Sequence, residues 1–329
     1  MIASVAFRNF KALRATSLAL APFNLLIGPN GSGKTSLIEA LQQLHTLAKL
    51  PLADAPDLAK KSSGPEVLFR FAPPHDAIEA RLGCVSELVC DLLQITPPNA
   101  PGWPALRTAL VGIRSYVLES DAMTAPAARA NGVELTPNAG NLAAVLASLR
   151  ARDPVAFAAL ANEVVRIMPE FVALELFDRD GGLVELALRL SDGALVVAKN
   201  LSQGTLYLLA MLTLAFEPAP PPLLCIEEID RGIHPRLLRE IRDALYRLSY
   251  PASAGLARRP VQIVATTHSP YLLDLFREHP EEIVLAHKHG TKAHFERLAD
   301  RGDLGELLGE GSLGDMWFSG ILGGVPEEK

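Results

Sequence analysis

Residues 23–36 read FNLLIGPNGSGKTS: a mostly apolar run, a glycine, a glycine-rich turn and the first residues of a helical pattern. Gly28-Pro29-Asn30-Gly31-Ser32-Gly33-Lys34-Thr35 fills G-x-x-x-x-G-K-[ST] at every defined position, and Ser36 follows it. Small residues let backbone N–H groups close around phosphate oxygens at the start of a helix, where the helix dipole also favours negative charge. Lys34 is placed for the β- and γ-phosphates and Thr35 for a Mg2+ ion. The flanking strand and helix are the context that the motif requires. It specifies nucleotide binding and leaves open what the nucleotide drives.

On the C-terminal side of the loop, Leu37, Leu41, Leu44 and Leu47 recur on one helical face, and Pro51 closes the segment. On its N-terminal side Ile2, Val5 and Phe7, then Leu18, Leu20 and Phe23, alternate loosely as in short strands. Much further on, LLCIEEID (223–230) is a buried-strand pattern ending in two carboxylates. Open α/β sheets bind ligands at the carboxyl ends of their strands. Strand alternation would send the two side chains different ways, with Glu227 holding Mg2+ through water and Glu228 orienting or deprotonating an attacking water. Two acids after a strand are by themselves commonly a solvated turn; the loop at 28–35 gives them this reading. VATTHSP (264–270) is another apolar strand, ending at His268. That side chain can hydrogen-bond a γ-phosphate oxygen, although a lone histidine there is more often structural.

Residues 171–200 alternate, with turns at Asp180-Gly181-Gly182 and Asp192-Gly193, and predict a β-meander. LSQGT (201–205) follows, and Ser202 is read as the cap of a helix over Thr205–Phe216 whose free N–H groups face an anion. Helices are also expected over Pro235–Leu248 and after Pro270, giving an alternating β/α order. A helical hairpin is expected from Asn141, read as an N-cap, through Asp153-Pro154. Prolines from Pro51 to Pro104 leave room for a long regular element only around Ile78–Leu93.

Composition is that of an ordinary globular chain, 49% hydrophobic and 21% charged over 329 residues. Lys plus Arg number 31 against 37 Asp plus Glu, a net charge of −6, so any nucleic-acid site must be a local patch. Arg236, Arg239, Arg242 and Arg247 fall on one predicted helix, with Arg258-Arg259 beyond, and read as a solvated face before they read as a DNA site. Cys84, Cys90 and Cys225 lack C-x-x-C spacing and are odd in number, which argues against a disulfide framework and a cysteine zinc site. With no secretory pattern at the start and no apolar run near bilayer length, the chain reads as soluble and cytoplasmic. Met316, Trp317, Phe318, Ile321 and Leu322 crowd five large apolar groups into a glycine-rich tail, and the cluster is expected to be buried on its own domain or on a partner.

The order of these strings (NFK at 9–11, GPNGSGKTS, LSQGT, EEIDRGIHP, TTHSP) resembles the ABC-type ATPase head, in its SMC/RecF/OLD-like branch, and within it the small AAA-type ATPases of bacteria and archaea. The resemblance covers residues 1–50 and 200–275 closely and extends more loosely through NLAAVLASLRARDP and LGDMWFSGILGG. It implies an α/β P-loop NTPase with an antiparallel β subdomain and a helical insertion in place of coiled-coil arms. Residues 1–75 would form an N-terminal lobe with Walker A, 76–168 a Pro-rich and helical insertion, and 169–329 a C-terminal lobe with signature, Walker B and switch histidine. The activity implied is an ATP-binding and ATP-hydrolysing switch, with ATP and Mg2+ as cofactors, that dimerises on ATP. Ser202 and Gly204 of one subunit would cap the γ-phosphate held by Lys34 of the other, Asp230 would cross the interface, and His268 would be the switch histidine. The setting implied is DNA maintenance, repair or anti-phage defence with a separate nuclease or toxin subunit, since no D-x-D pair follows Pro270. DNA is a potential partner and a membrane is not. Two departures stand out: glutamate at the Walker B position instead of the commoner aspartate, and a Q-loop residue for which Gln94 qualifies by type alone. Two other functions share these motifs. One is a recruitment module that uses ATP with negligible turnover; the other is the nucleotide-binding subunit of a transporter, against which stand the missing second glycine of LSQGT and the lack of an aromatic-led adenine strand.

Overall fold

The fold is described from a computed structural model, for residues 1–52, 64–132 and 134–323. Strands Ile2–Phe10 (β1) and Leu13–Ala19 (β2) lead into Phe23–Ile27 (β3), which is buried at every position. Helix Lys34–Lys49 (α1) follows, with Leu37, Ile38, Leu41 and Leu44 fully buried, as its leucine spacing requires. The Pro-rich stretch is more regular than its composition suggests, because the prolines punctuate the elements without interrupting them. Glu66–Phe71 (β4) runs between Pro65 and Pro73, Glu79–Cys84 (β5) is followed by Cys90–Thr96 (β6), which ends at Pro97, and Trp103–Val111 (α2) takes Pro104 in its first turn. The expected long element around Ile78–Leu93 is instead a hairpin, turned where Ser86 Oγ accepts from the Leu88 and Val89 amides. Cys84 and Cys90 are cross-strand neighbours in it and form a disulfide, which corrects the reading of the cysteines. Counting and spacing cannot reveal a pair that only the hairpin register brings together.

Arg114–Tyr116 (β7), Ser120–Met123 (α3) and Ala127–Ala128 (β8) precede a helical pair, Leu142–Arg152 (α4) and Pro154–Ile167 (α5). Asp153 caps α5 by accepting from the Ala156 amide at 2.9 Å. Asn141 sits at the α4 N-terminus but makes no cap bond; its side chain is taken up by the Thr136 amide, the Thr136 hydroxyl and the Glu134 carbonyl. The meander is Phe171–Arg179 (β9), Leu183–Leu190 (β10) and Leu195–Val197 (β11). Then come Gln203–Ala215 (α6), Leu223–Ile226 (β12), Leu238–Ser249 (α7), Gln262–Thr267 (β13), Pro270–Asp274 (α8), Ile283–His289 (β14), Lys292–Arg297 (β15), Leu304–Glu310 (α9) and Leu313–Phe318 (α10).

The chain divides into two compact units. The first, Met1–Ser115 with Pro221–Ile229 and Arg259–Lys329, holds an eleven-stranded sheet in the order β6-β5-β4-β1-β2-β15-β14-β3-β13-β12-β7. Strands β12, β13, β3 and β14 run parallel, and β6 through β2 form an antiparallel half. The second unit, Tyr116–Pro220 with Asp230–Arg258, carries the small sheet β11-β10-β8, with β9 on β10, and the helices α4 to α7. Of the six arginines read as a solvated face, three are engaged by neighbours and three are exposed. Arg258 donates to the carbonyls of Glu217, Ala215 and Arg247, Arg247 lies 4.4 Å over the Phe216 ring, and Arg242 binds Asp243. Arg236, Arg239 and Arg259 are exposed. Among the described residues no helix is long and apolar enough to cross a membrane.

The apolar tail is split. Met316, Trp317 and Leu322 are buried, whereas Phe318 is 81% and Ile321 51% exposed. Helix α10 fits against α8 because residue 314 is glycine: a Cβ there would stand 2.7 Å from the Pro270 carbonyl, and the Gly314 amide donates to Asp274 at 2.9 Å. Trp317→Ala is therefore expected to cost about 3 kcal/mol, the range for emptying a buried aromatic site, and Phe318→Ala under about 0.5 kcal/mol. Denaturant melts of the two variants check this; equal losses would show that the partition of the tail is wrong.

Candidate nucleotide-binding site

Three parallel strands deliver their C-terminal ends to one edge of the large sheet. Ile27 of β3 is level with Thr267 of β13, and Ala265 of β13 with Ile226 of β12. The loop 28–35 leaves β3, Glu227 and Glu228 leave β12, and His268 leaves β13. Within this unit the structure thus brings together the loop, both acids and the histidine.

The loop is shaped by its glycines. Gly31 and Gly33 hold φ of 75° and 93°. Gly28 has no room for a side chain, since a Cβ would lie 2.3 Å from the Ala286 carbonyl and 2.6 Å from Ser32 Oγ. Ser32 is fully buried and its hydroxyl has no hydrogen-bond partner among the described residues, an unmet need that a phosphate oxygen fits. Lys34 Nζ donates to the carbonyls of Gly28 at 2.6 Å and Pro29 at 3.1 Å, so the ammonium is held within the loop. Burial pushes its pKa down to about 8, against the opposing pull of Glu228 and Glu227. Thr35 Oγ1 donates to Glu227 Oε2 at 3.1 Å, joining the two residues read as Mg2+ ligands. Burial first, and then the neighbouring Glu39 and Glu228 carboxylates, raise the Glu227 pKa, while the Thr35 bond and Lys34 lower it. A half-buried carboxylate in contact with an exposed hydroxyl is a fitting oxygen donor set for a hard cation that solvent can reach.

Strand β12 stops at Ile226, so pleat alternation does not separate the acids. The chain bends at Glu227, and Glu228 takes a left-handed φ of 50°, a conformation that costs a non-glycine residue roughly 1–2 kcal/mol. Both carboxylates act on Lys34, and both therefore stand near the loop. His268 is exposed just beyond the buried end of β13, and Ser269, not the histidine, caps α8 by accepting from the Leu272 amide.

Ser202, Gly204 and Asp230 fall in the second unit. Ser202 Oγ accepts from the Thr205 amide at 3.2 Å and caps α6, which begins at Gln203, two residues earlier than its pattern suggested. Gly204 packs on the turn after Asp230, where a Cβ would stand 2.8 Å from the Gly232 carbonyl. The LSQGT string and the turn at 230–233 are thus neighbours within that unit.

A protein-family model described as "AAA domain, putative AbiEii toxin, Type IV TA system" matches residues 23–274, most of the chain. The chain belongs to this AAA-domain family. Its fold is that of SMC heads. The SMC head domain from Thermotoga maritima superposes with a TM-score of 0.53 at 13% identity, covering 90% of this chain and 98% of that one. An SMC head bound to the C-winged helix domain of ScpA gives a TM-score of 0.58 at 13% identity, covering 90% and 97%. In sequence, the DNA replication and repair protein RecF of Vibrio vulnificus is 55% identical over 38 residues, 11% of each chain. RecF of Thermomicrobium roseum is 37% identical over 83 residues, 25% of this chain and 20% of that protein. The matched region thus spans a fifth or less of these curated relatives. Family, fold and the RecF match together make the chain a P-loop ATPase of SMC/RecF-like type.

For this AAA-domain chain, two residues near the site have no role in the sequence reading: Lys288 lies outside every motif, and Thr266 opens the TTHSP string without a function of its own. Lys288 of β14 reaches over the loop, its Nζ 3.0 Å from where a Cβ on Gly31 would be. Thr266 of β13 accepts from the Glu228 amide at 2.9 Å. Each is brought there by parallel pairing with a strand far away in sequence, and only the topology could have found it.

Proposed function

We propose that this chain is an ATP-hydrolysing molecular switch that closes into a dimer on ATP. The observation that carries the reading is the convergence of the glycine loop, Glu227, Glu228 and His268 on one edge of the parallel strands. Gly28 to Gly33 would cradle the phosphates through backbone amides, with the Ser32 hydroxyl and the Lys34 ammonium on phosphate oxygens and Ser36 at the helix start. Thr35 and Glu227 would hold Mg2+, which supplies charge neutralisation on the β- and γ-oxygens when bound. Glu228 would orient and deprotonate the attacking water, and His268 would hydrogen-bond the γ-phosphate. Ser202 and Gly204 of the partner subunit would cap that phosphate with the N-terminal amides of α6, and Asp230 would lie along the dimer contact.

The output of the switch is assigned to DNA or to a separate effector polypeptide. Matched relatives named for DNA replication and repair, and a family described by a toxin, support that assignment. The dimer is tested by sizing chromatography of the Glu228→Gln protein with Mg-ATP, with and without Ser202→Arg. A bulky cation at the start of α6 is expected to leave a monomer that still binds ATP. An unchanged ATP-dependent dimer would remove the composite site from the proposal.

A further inference from the structure

Glu228 is one of five non-glycine residues described with positive φ, and it is the one that carries the acid read as the base. Something must hold that backbone in place. Two successive amides of the turn are bound by a single residue of the neighbouring strand: the Glu228 N–H donates to Thr266 Oγ1 at 2.9 Å and the Ile229 N–H to the Thr266 carbonyl at 3.1 Å. Thr266 is itself 2% exposed, level with Leu26 of β3 and two residues before His268. The same strand therefore fixes the end of the loop strand, the acid turn and the histidine.

We propose that Thr266 is a positioning residue for hydrolysis, its hydroxyl holding Glu228 in the left-handed conformation that sets where the carboxylate lies. The inference rests on the reading of Glu228 as the base. Without the hydroxyl, the part-buried N–H loses its acceptor, the strained φ loses its support, and the carboxylate moves with the backbone. A displacement near 1 Å suffices to slow a positioned reaction by about 10²-fold.

The experiment is steady-state ATPase kinetics and ATP affinity for Thr266→Val, which keeps the β-branched shape, and Thr266→Ser, which keeps the hydroxyl. The valine variant is expected to lose at least about tenfold in kcat with KM and ATP affinity within about twofold, and the serine variant to recover most of the rate. In a Glu228→Gln background the valine change should alter the residual rate less than about twofold, because its effect passes through that carboxylate. Native turnover of Thr266→Val, or an equal further loss on top of Glu228→Gln, overturns the inference and leaves Glu228 as the base. Native turnover of Glu228→Gln overturns the base and the inference together. Should the valine variant not fold, amide exchange of the native protein decides: the Glu228 N–H should be protected like the amides of β13, and fast exchange would count against the clamp.

Discussion

Lys34→Ala is expected to abolish ATP binding without weakening the fold. The ammonium sits in the loop on the Gly28 and Pro29 carbonyls, and burial has already brought its pKa down to about 8. A folded-state pKa below the usual lysine value means that the folded chain holds this charge at a cost below pH 8, a cost relieved as pH rises toward the unfolded value. Removing the group should therefore leave the melting temperature unchanged or raised, while the ATP-induced shift in melting disappears. Two lost charge-assisted contacts of about 1.5–3 kcal/mol each correspond to a fall in affinity of at least about 10²-fold. The native protein should show the same group in its pH profile. Nucleotide binding favours the charged form, so affinity should be flat below pH 8 and fall as pH rises beyond it, by at most tenfold per unit. Titration calorimetry between pH 7 and 9.5 checks this; a flat profile would mean that the ammonium does not face phosphate.

Glu228→Gln should do the reverse, keeping ATP affinity within a few-fold and cutting turnover by about 10²–10⁴-fold, the worth of a positioned general base. The amide preserves size and hydrogen-bonding reach but cannot take a proton from water. Glu227→Gln is expected to differ in kind, because Glu227 is bound to Thr35 at the residues read as metal ligands. Its loss should raise the Mg2+ concentration needed for turnover. Single-turnover rates at saturating ATP, with Mg2+ varied, separate the two acids.

Much of this was legible in the chain because the decisive strings are local. A glycine loop between an apolar strand and a helix declares itself wherever it occurs, and Ser202 and Asp153 are caps as their positions suggest, although Asn141, read by the same rule, is not. What stayed hidden depends on residues that are distant in sequence. The disulfide of Cys84 with Cys90 follows from hairpin register, and the turn of Glu228 from an acceptor on β13, 38 residues away. The Pro-rich stretch misled for a related reason. Proline forbids a central strand position but suits strand ends and first helical turns, and composition does not say which of these each proline occupies.

The burial of β3 has a consequence for biogenesis. Its register partners are Ile263 to Thr267 on one side and Ile283 to Leu285 on the other, each more than 230 residues downstream. A ribosome-bound chain therefore displays FNLLI, an edge on both sides, until the strands at 262–267 and 283–289 have emerged. Contacts of such long range are slow to form and leave a strand open to wrong pairing meanwhile. The meander and helical pair of residues 142–197, by contrast, close on themselves within a short span. The nucleotide loop is thus translated early and seated only once β13 and β14 have emerged, so that ATP binding waits on strands made long after the loop itself.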